Sequence, residues 1–173
     1  MKTYKLEEIF QFAVQVEEEG KRFYDEAAEQ AQGKEAKELF VYLGKQEAKH
    51  ARKFLKFHAA YARKSASFQA DGRLRELLET LMRGMIFPPM SQVREALGDQ
   101  DTRPLLPIIR LAMGVETHSI LFYQEVDSLV READTTKAIS QIVQEEKNHL
   151  VKLKNLRMDL DPYYAASMYG RWL

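Results

Sequence analysis

Lys45-Gln46-Glu47-Ala48-Lys49-His50 and Gln144-Glu145-Glu146-Lys147-Asn148-His149 decide how this chain folds. Each holds a Glu-x-x-His pair, and residues three apart share one face of a helix. The surroundings are helical in period too. Phe40, Leu43, Glu47, His50, Phe54 and Phe57 recur at three- and four-residue steps, as do Ile139, Ile142, Glu146, His149, Leu153 and Leu156. In both segments the glutamate and histidine interrupt an apolar stripe, so they point into a core.

A shift of 99 residues carries Glu47 onto Glu146 and His50 onto His149, and it aligns the upstream segments without a gap. Ala13 falls on Ala112, Glu17 on Glu116, and Phe23-Tyr24 on Phe122-Tyr123. A period this long is not that of a solenoid; it is a duplicated helical hairpin with an internal pseudo-two-fold. Ala13, Glu17, Gly20 and Tyr24 share a face of one helix, and Ala112, Glu116, Ser119 and Tyr123 share a face of another.

These periods predict an all-α, antiparallel four-helix bundle, with residues 1–173 as a single domain. Hairpin 1 covers about 5–63, with helices from about Leu6 to Gln32 and from about Lys34 to Arg63, broken at Gly33. Hairpin 2 covers about 104–157, with helices from about Leu105 to Arg131 and from about Thr135 to Arg157. Pro104 and Pro107 are tolerated near the start of the third helix, Asp134 is the expected N-cap of the fourth, and Asp161-Pro162 lies beyond its end. The crossover, about 64–103, is too long to be structureless in a compact domain. Its Leu74, Leu77, Leu78, Leu81, Met82 and Met85 form one helical face, stopped by Phe87-Pro88-Pro89. That short helix is expected to pack or to make a dimer contact rather than act as a substrate lid. A tail, 158–173, follows.

Composition narrows the chemistry. Lys+Arg and Asp+Glu both number 26, so the net charge is zero and neither nucleic acid nor an acidic membrane is an expected partner. There is no cysteine, which excludes disulfides, zinc fingers, iron–sulfur clusters and thiol catalysis. The N-terminus has no apolar segment typical of a signal peptide, and no stretch approaches the roughly 20 apolar residues of a membrane helix. A cytoplasmic location is expected.

Four inward glutamates need compensation, because a buried unpaired carboxylate costs several kcal/mol even after relaxation. Two divalent cations would cancel four negative charges with both histidines neutral. Carboxylate and imidazole without thiolate suit iron or manganese, whereas softer ligands would favour copper(I) or zinc. One Glu-x-x-His in a Glu-rich helix reads as a solvated surface pair. Two such pairs with two further glutamates at matching offsets read as a metal centre. Glu18, Glu19 and Glu145 are turned away from it by helical geometry. His118 and His58 are expected at the surface. Tyr24 and Tyr123, two turns beyond Glu17 and Glu116, could bond a ligand carboxylate or pass an electron; equally, they could be core aromatics with locally satisfied hydroxyls.

The segments VEEEGKRFY (16–24) with KQEAKH, and VETHSILFY (115–123) with QEEKNH, resemble the ferritin-like di-iron carboxylate family, rubrerythrin-like branch. The resemblance covers both hairpins. It implies a ferritin-like bundle holding two iron ions per chain, with manganese or zinc as alternatives. Glu17 and Glu116 would be terminal ligands, Glu47 and Glu146 bridging ligands, and His50 and His149 the imidazole ligands. The implied activity is reduction of hydrogen peroxide or dioxygen, oxidation of ferrous iron, or both, in a homodimer, possibly with exchanged hairpins. The sequence departs from the branch twice. Ser119 stands where peroxidase members often carry a further glutamate, and no cysteine-ligated rubredoxin-like module is present, so the electron donor would be external. Storage of iron without turnover and a metal-free structural adaptor are the alternatives.

Overall fold

A computed structural model of the chain describes residues 2–31, 33–64, 66–89, 91 and 105–169. Met1, Gln32 (the expected end of the first helix), the rest of the crossover, Pro104 and the end of the tail lie outside the described residues. The elements run β1 (Lys2–Lys5), α1 (Leu6–Gln30), α2 (Lys34–Lys64), β2 (Ser67–Ala70), α3 (Gly72–Gly84), α4 (Leu105–Leu129), α5 (Ala133–Leu160) and α6 (Pro162–Tyr169). The four long helices form the predicted all-α bundle, built from the hairpins α1–α2 and α4–α5.

Local chemistry sets the ends. Glu7 and Glu8 fall in the first turn of α1, where they complement the positive end of the helix dipole, and Arg63 is in the last turn of α2. Asp71 caps α3 by accepting the Leu74 N–H at 2.8 Å. The fourth long helix starts earlier than expected: Glu132 is its N-cap, and Asp134 sits in its first turn. An acidic residue favours either place, so the sequence marks the terminus better than the cap itself. The tail adds α6, whose start is fixed by Asp161 accepting the Tyr164 N–H at 3.1 Å.

Two strands were not expected in an all-α chain. β1 and β2 pair antiparallel, with Tyr4 opposite Phe68, and their rings stack at 5.7 Å. This ribbon ties the start of the crossover to the start of α1.

The core falls into two apolar clusters. One gathers Phe10, Val16, Phe54, Tyr61, Leu78, Tyr123 and Ile139. The other gathers Phe23, Tyr24, Phe40, Leu43, Ile109 and Leu153. Along every long helix the two clusters occupy opposite ends: residues 6–16 then 23–28 on α1, and 139–143 then 153–156 on α5. The glutamates and histidines lie between. Burial of each large side chain stabilises the fold by about 1.5–3 kcal/mol, and this holds the polar layer in place from both sides.

Contrary to the expectation from the sequence, helix α4 is, by length and composition alone, long and apolar enough to cross a bilayer. Within the bundle half of that stretch is buried, and Glu116 interrupts it.

Candidate metal centre

All four long helices deliver the inward residues to one layer. Glu17 comes from α1, Glu47 and His50 from α2, Glu116 from α4, and Glu146 and His149 from α5. All six are buried, none more than 6% exposed. Their donor atoms form two overlapping quartets: Glu17, Glu47, His50 and Glu146, and Glu47, Glu116, Glu146 and His149. Within each quartet these atoms lie within 4.8 Å of one another. Glu47 and Glu146 belong to both. Both hairpins of a single chain therefore complete the cluster, and no exchange between chains is needed.

The donor set fits cations better than it fits itself. Glu17 Oε2, Glu47 Oε1, His50 Nδ1 and Glu146 Oε1 are buried, and their close approaches are ion-pair contacts without hydrogen-bond geometry. His50 Nδ1 lies 2.8 Å from Glu146 Oε1 and 3.5 Å from Glu17 Oε2. His149 Nδ1 faces Glu146 Oε2 at 2.9 Å, Glu47 Oε1 at 3.4 Å and Glu116 Oε1 at 3.7 Å. Orphaned buried polar atoms are rare in folded proteins and call for a specific cause. Carboxylate and imidazole atoms converging in one buried layer form a place that oxygen- and nitrogen-seeking cations would occupy.

Protonation in the metal-free protein tells the same story. Burial pushes the Glu116 carboxyl up to about 8, with the Glu146 charge adding to the effect. Glu47 also rises well above the ordinary carboxylate range, through burial and then the charges of Glu146 and Glu17. Burial would lower the histidines, but the surrounding carboxylates outweigh it. His50 is pushed up to about 12 by Glu146 and Glu17, and His149 rises strongly beside Glu116, Glu146 and Glu47. Burial opposes ionisation of Glu146, yet its two histidine neighbours hold it below its usual value. Without cations, protons supply the positive charge that the cluster requires.

The tyrosines cross the pseudo-two-fold. Tyr24 donates to Glu116 Oε1 at 2.5 Å, and Tyr123 donates to Glu17 Oε1. Each hydroxyl thus meets a carboxylate of the opposite hairpin rather than a partner on its own helix. Burial raises both phenols well above their ordinary value, so they stay protonated donors.

Ser119 is buried and donates to the Val115 carbonyl at 3.1 Å. His118 and His58 lie outside the cluster but are half-buried rather than superficial, and His118 Nδ1 lies 2.8 Å from the Gly114 carbonyl. Glu145 faces away from the carboxylates, yet it is not idle: its Oε2 lies 2.5 Å from His50 Nε2. Phe87, read in the sequence only as a helix stop, packs on Phe23 with ring centres 4.6 Å apart and lies over Gly20.

At Gly20 a Cβ would stand 3.2 Å from the Phe87 ring and 3.3 Å from Glu47 Oε2. Gly20→Ala should therefore crowd Glu47 and lower metal affinity severalfold. The helix gain of about 0.5–1 kcal/mol should keep metal-free stability near wild type. Metal titration and thermal melts on the two proteins check this.

Residues 8–157 match the family described as Rubrerythrin. The chain belongs to the rubrerythrin family. Among solved structures it is similar to a protein of Thermotoga maritima described as a ferritin-like diiron-carboxylate protein. The two are 28% identical, with 91% of this chain and 97% of that chain covered and a TM-score of 0.72. No curated protein matches the chain. Membership of the rubrerythrin family and the ferritin-like bundle agree with a buried carboxylate–histidine cluster suited to a metal site.

Proposed function

We propose that the chain binds two iron ions and uses them as an oxidoreductase that reduces hydrogen peroxide or dioxygen, oxidises ferrous iron, or does both. The carrying observation is the overlap of the two quartets through Glu47 and Glu146. Carboxylates common to both quartets would hold two cations side by side. Iron held there would supply the two electrons that peroxide or dioxygen reduction needs. Glu17 and Glu116 would be the terminal carboxylates, and His50 and His149 the imidazole ligands. The apolar clusters on either side keep bulk water from the layer. Tyr24 and Tyr123 hold Glu116 and Glu17 in place through their hydroxyls. An external partner would supply the reductant. A cytoplasmic homodimer is the proposed setting.

Anaerobic loading with ferrous iron, followed by metal analysis and stopped-flow reactions with peroxide and with dioxygen, tests this reading. About two irons per chain and rapid oxidation by peroxide are expected. Failure to take up metal would overturn it, and uptake with no reaction towards either oxidant would leave only storage. Tyr24→Phe and Tyr123→Phe should each still bind two irons. Loss of the donor to a ligand carboxylate should weaken binding by about 10-fold or more, read by competition with a chelator of known affinity.

A further inference from the structure

Duplication has given both halves the same inward residues but not the same support behind them. The His50 ring is completely buried, so its outer nitrogen has no route to water. Glu145 provides for it, with Oε2 2.5 Å from His50 Nε2. The same oxygen lies 3.5 Å from Lys53 Nζ, which keeps the carboxylate in position. A neutral imidazole has one N–H, and an acceptor at Nε2 places that proton there. The Nδ1 lone pair is then left facing Glu17 and Glu146.

The other half lacks this device. The 99-residue shift takes His50 to His149, and in the reverse direction takes Glu145 to Gln46. Gln46 Oε1 accepts from Lys49 Nζ at 3.1 Å, and His149 Nε2 is buried with no hydrogen-bond partner among the described residues. Tyr42 meets the His149 ring edge-on at 6.1 Å and supplies no acceptor there. For His149 to ligate through Nδ1, its proton must sit on Nε2, in a buried position with nothing to receive it. That is an energetic penalty on metal binding which His50 escapes.

We infer that the two metal positions are unequal, with Glu145 as the positioning residue of the tighter one. The position formed by Glu17, Glu47, Glu146 and His50 fills first; the one formed by Glu47, Glu116, Glu146 and His149 fills second. The inference rests on the two-metal reading above. A hydrogen-bonded partner behind a ligating histidine commonly changes metal affinity by about 10–100-fold, so the two steps should differ by that order.

Anaerobic titration of the full chain with cobalt(II), followed by visible absorption and calorimetry, tests the order of filling. Wild type should show two steps, about 10–100-fold apart, with two ions per chain at saturation. His149→Ala should lose the weaker step and keep the tighter. Glu145→Ala should weaken the tighter step by the same factor, bringing the two together with the final stoichiometry intact. Glu145→Gln, whose amide oxygen still accepts from His50, should keep most of the separation. Circular dichroism on each variant checks folding; the Glu145 side chain is 40% exposed, so its loss leaves no core cavity. Two equal steps in wild type, an unchanged separation in Glu145→Ala, or loss of the tighter step in His149→Ala would overturn the inference. Failure of wild type to bind any cobalt or iron would instead overturn the two-metal reading itself.

Discussion

Glu47→Leu should abolish the thermal stabilisation that ferrous iron gives to the wild-type chain. Each ion bound only by the folded state adds about 2.7 kcal/mol at a hundredfold excess over its Kd. A chain of this size gains ~2–4 °C per kcal/mol, so two ions should raise the wild-type melting temperature by about 10–20 °C. Glu47 belongs to both quartets, so its loss opens both positions at once. The same substitution should leave the metal-free protein as stable as wild type, or more stable by up to about 2 kcal/mol. It exchanges a buried carboxylate, crowded by Glu146 and Glu17, for an apolar side chain of similar volume. Melts with and without iron give both numbers. A full iron-dependent rise in the mutant would remove Glu47 from its bridging role. A large loss of metal-free stability would show that the network is structural in its own right.

That contrast explains why the centre was legible in the sequence. Glu17, Glu47, His50 and their counterparts 99 residues later violate the apolar period of their helices, and four inward carboxylates have no cheap structural rationale. Periodicity likewise marked the four helices and α3, because burying one face leaves its rhythm in the chain. Contacts made in three dimensions were less visible. The crossed pairing of Tyr24 with Glu116 and of Tyr123 with Glu17 depends on how the hairpins dock, which local spacing does not encode. Phe87 reads as a terminator beside two prolines, and only the path of the crossover places it over Gly20. The ribbon of Lys2–Lys5 with Ser67–Ala70 is too short to register an alternating pattern, and its partners are far apart in sequence. Glu145 was the one miss with a usable signal. The repeat pairs it with Gln46, and a buried histidine proposed as a ligand calls for an acceptor behind it.

Raising the pH from 6.5 to 8 should weaken the metal-free protein and strengthen its hold on metal. In the folded, metal-free chain, Glu116 keeps its proton up to about 8 and His50 up to about 12, against ordinary values of 4.5 and 6.5. Both bind protons more tightly folded than unfolded. Their stabilisation is complete below the unfolded values and is lost as pH climbs towards the folded ones, so between 6.5 and 8 both contributions decline together. The lowered carboxyls of Glu146 and Glu145 act in the opposite sense, but only as pH falls below their ordinary 4.5, outside this window. Tyr24 and Tyr123 are raised above 10.0 and lie outside it on the other side. Metal must displace the protons on Glu116 and His50 to bind, and each proton displaced makes affinity rise about tenfold per pH unit. Metal-free melting temperatures should therefore fall across the window while the metal-induced increment widens. Calorimetric titrations in buffers of different ionisation enthalpy should count at least one proton released per ion. Metal affinity independent of pH from 6.5 to 8 would mean that cations bind somewhere other than among these carboxylates and histidines.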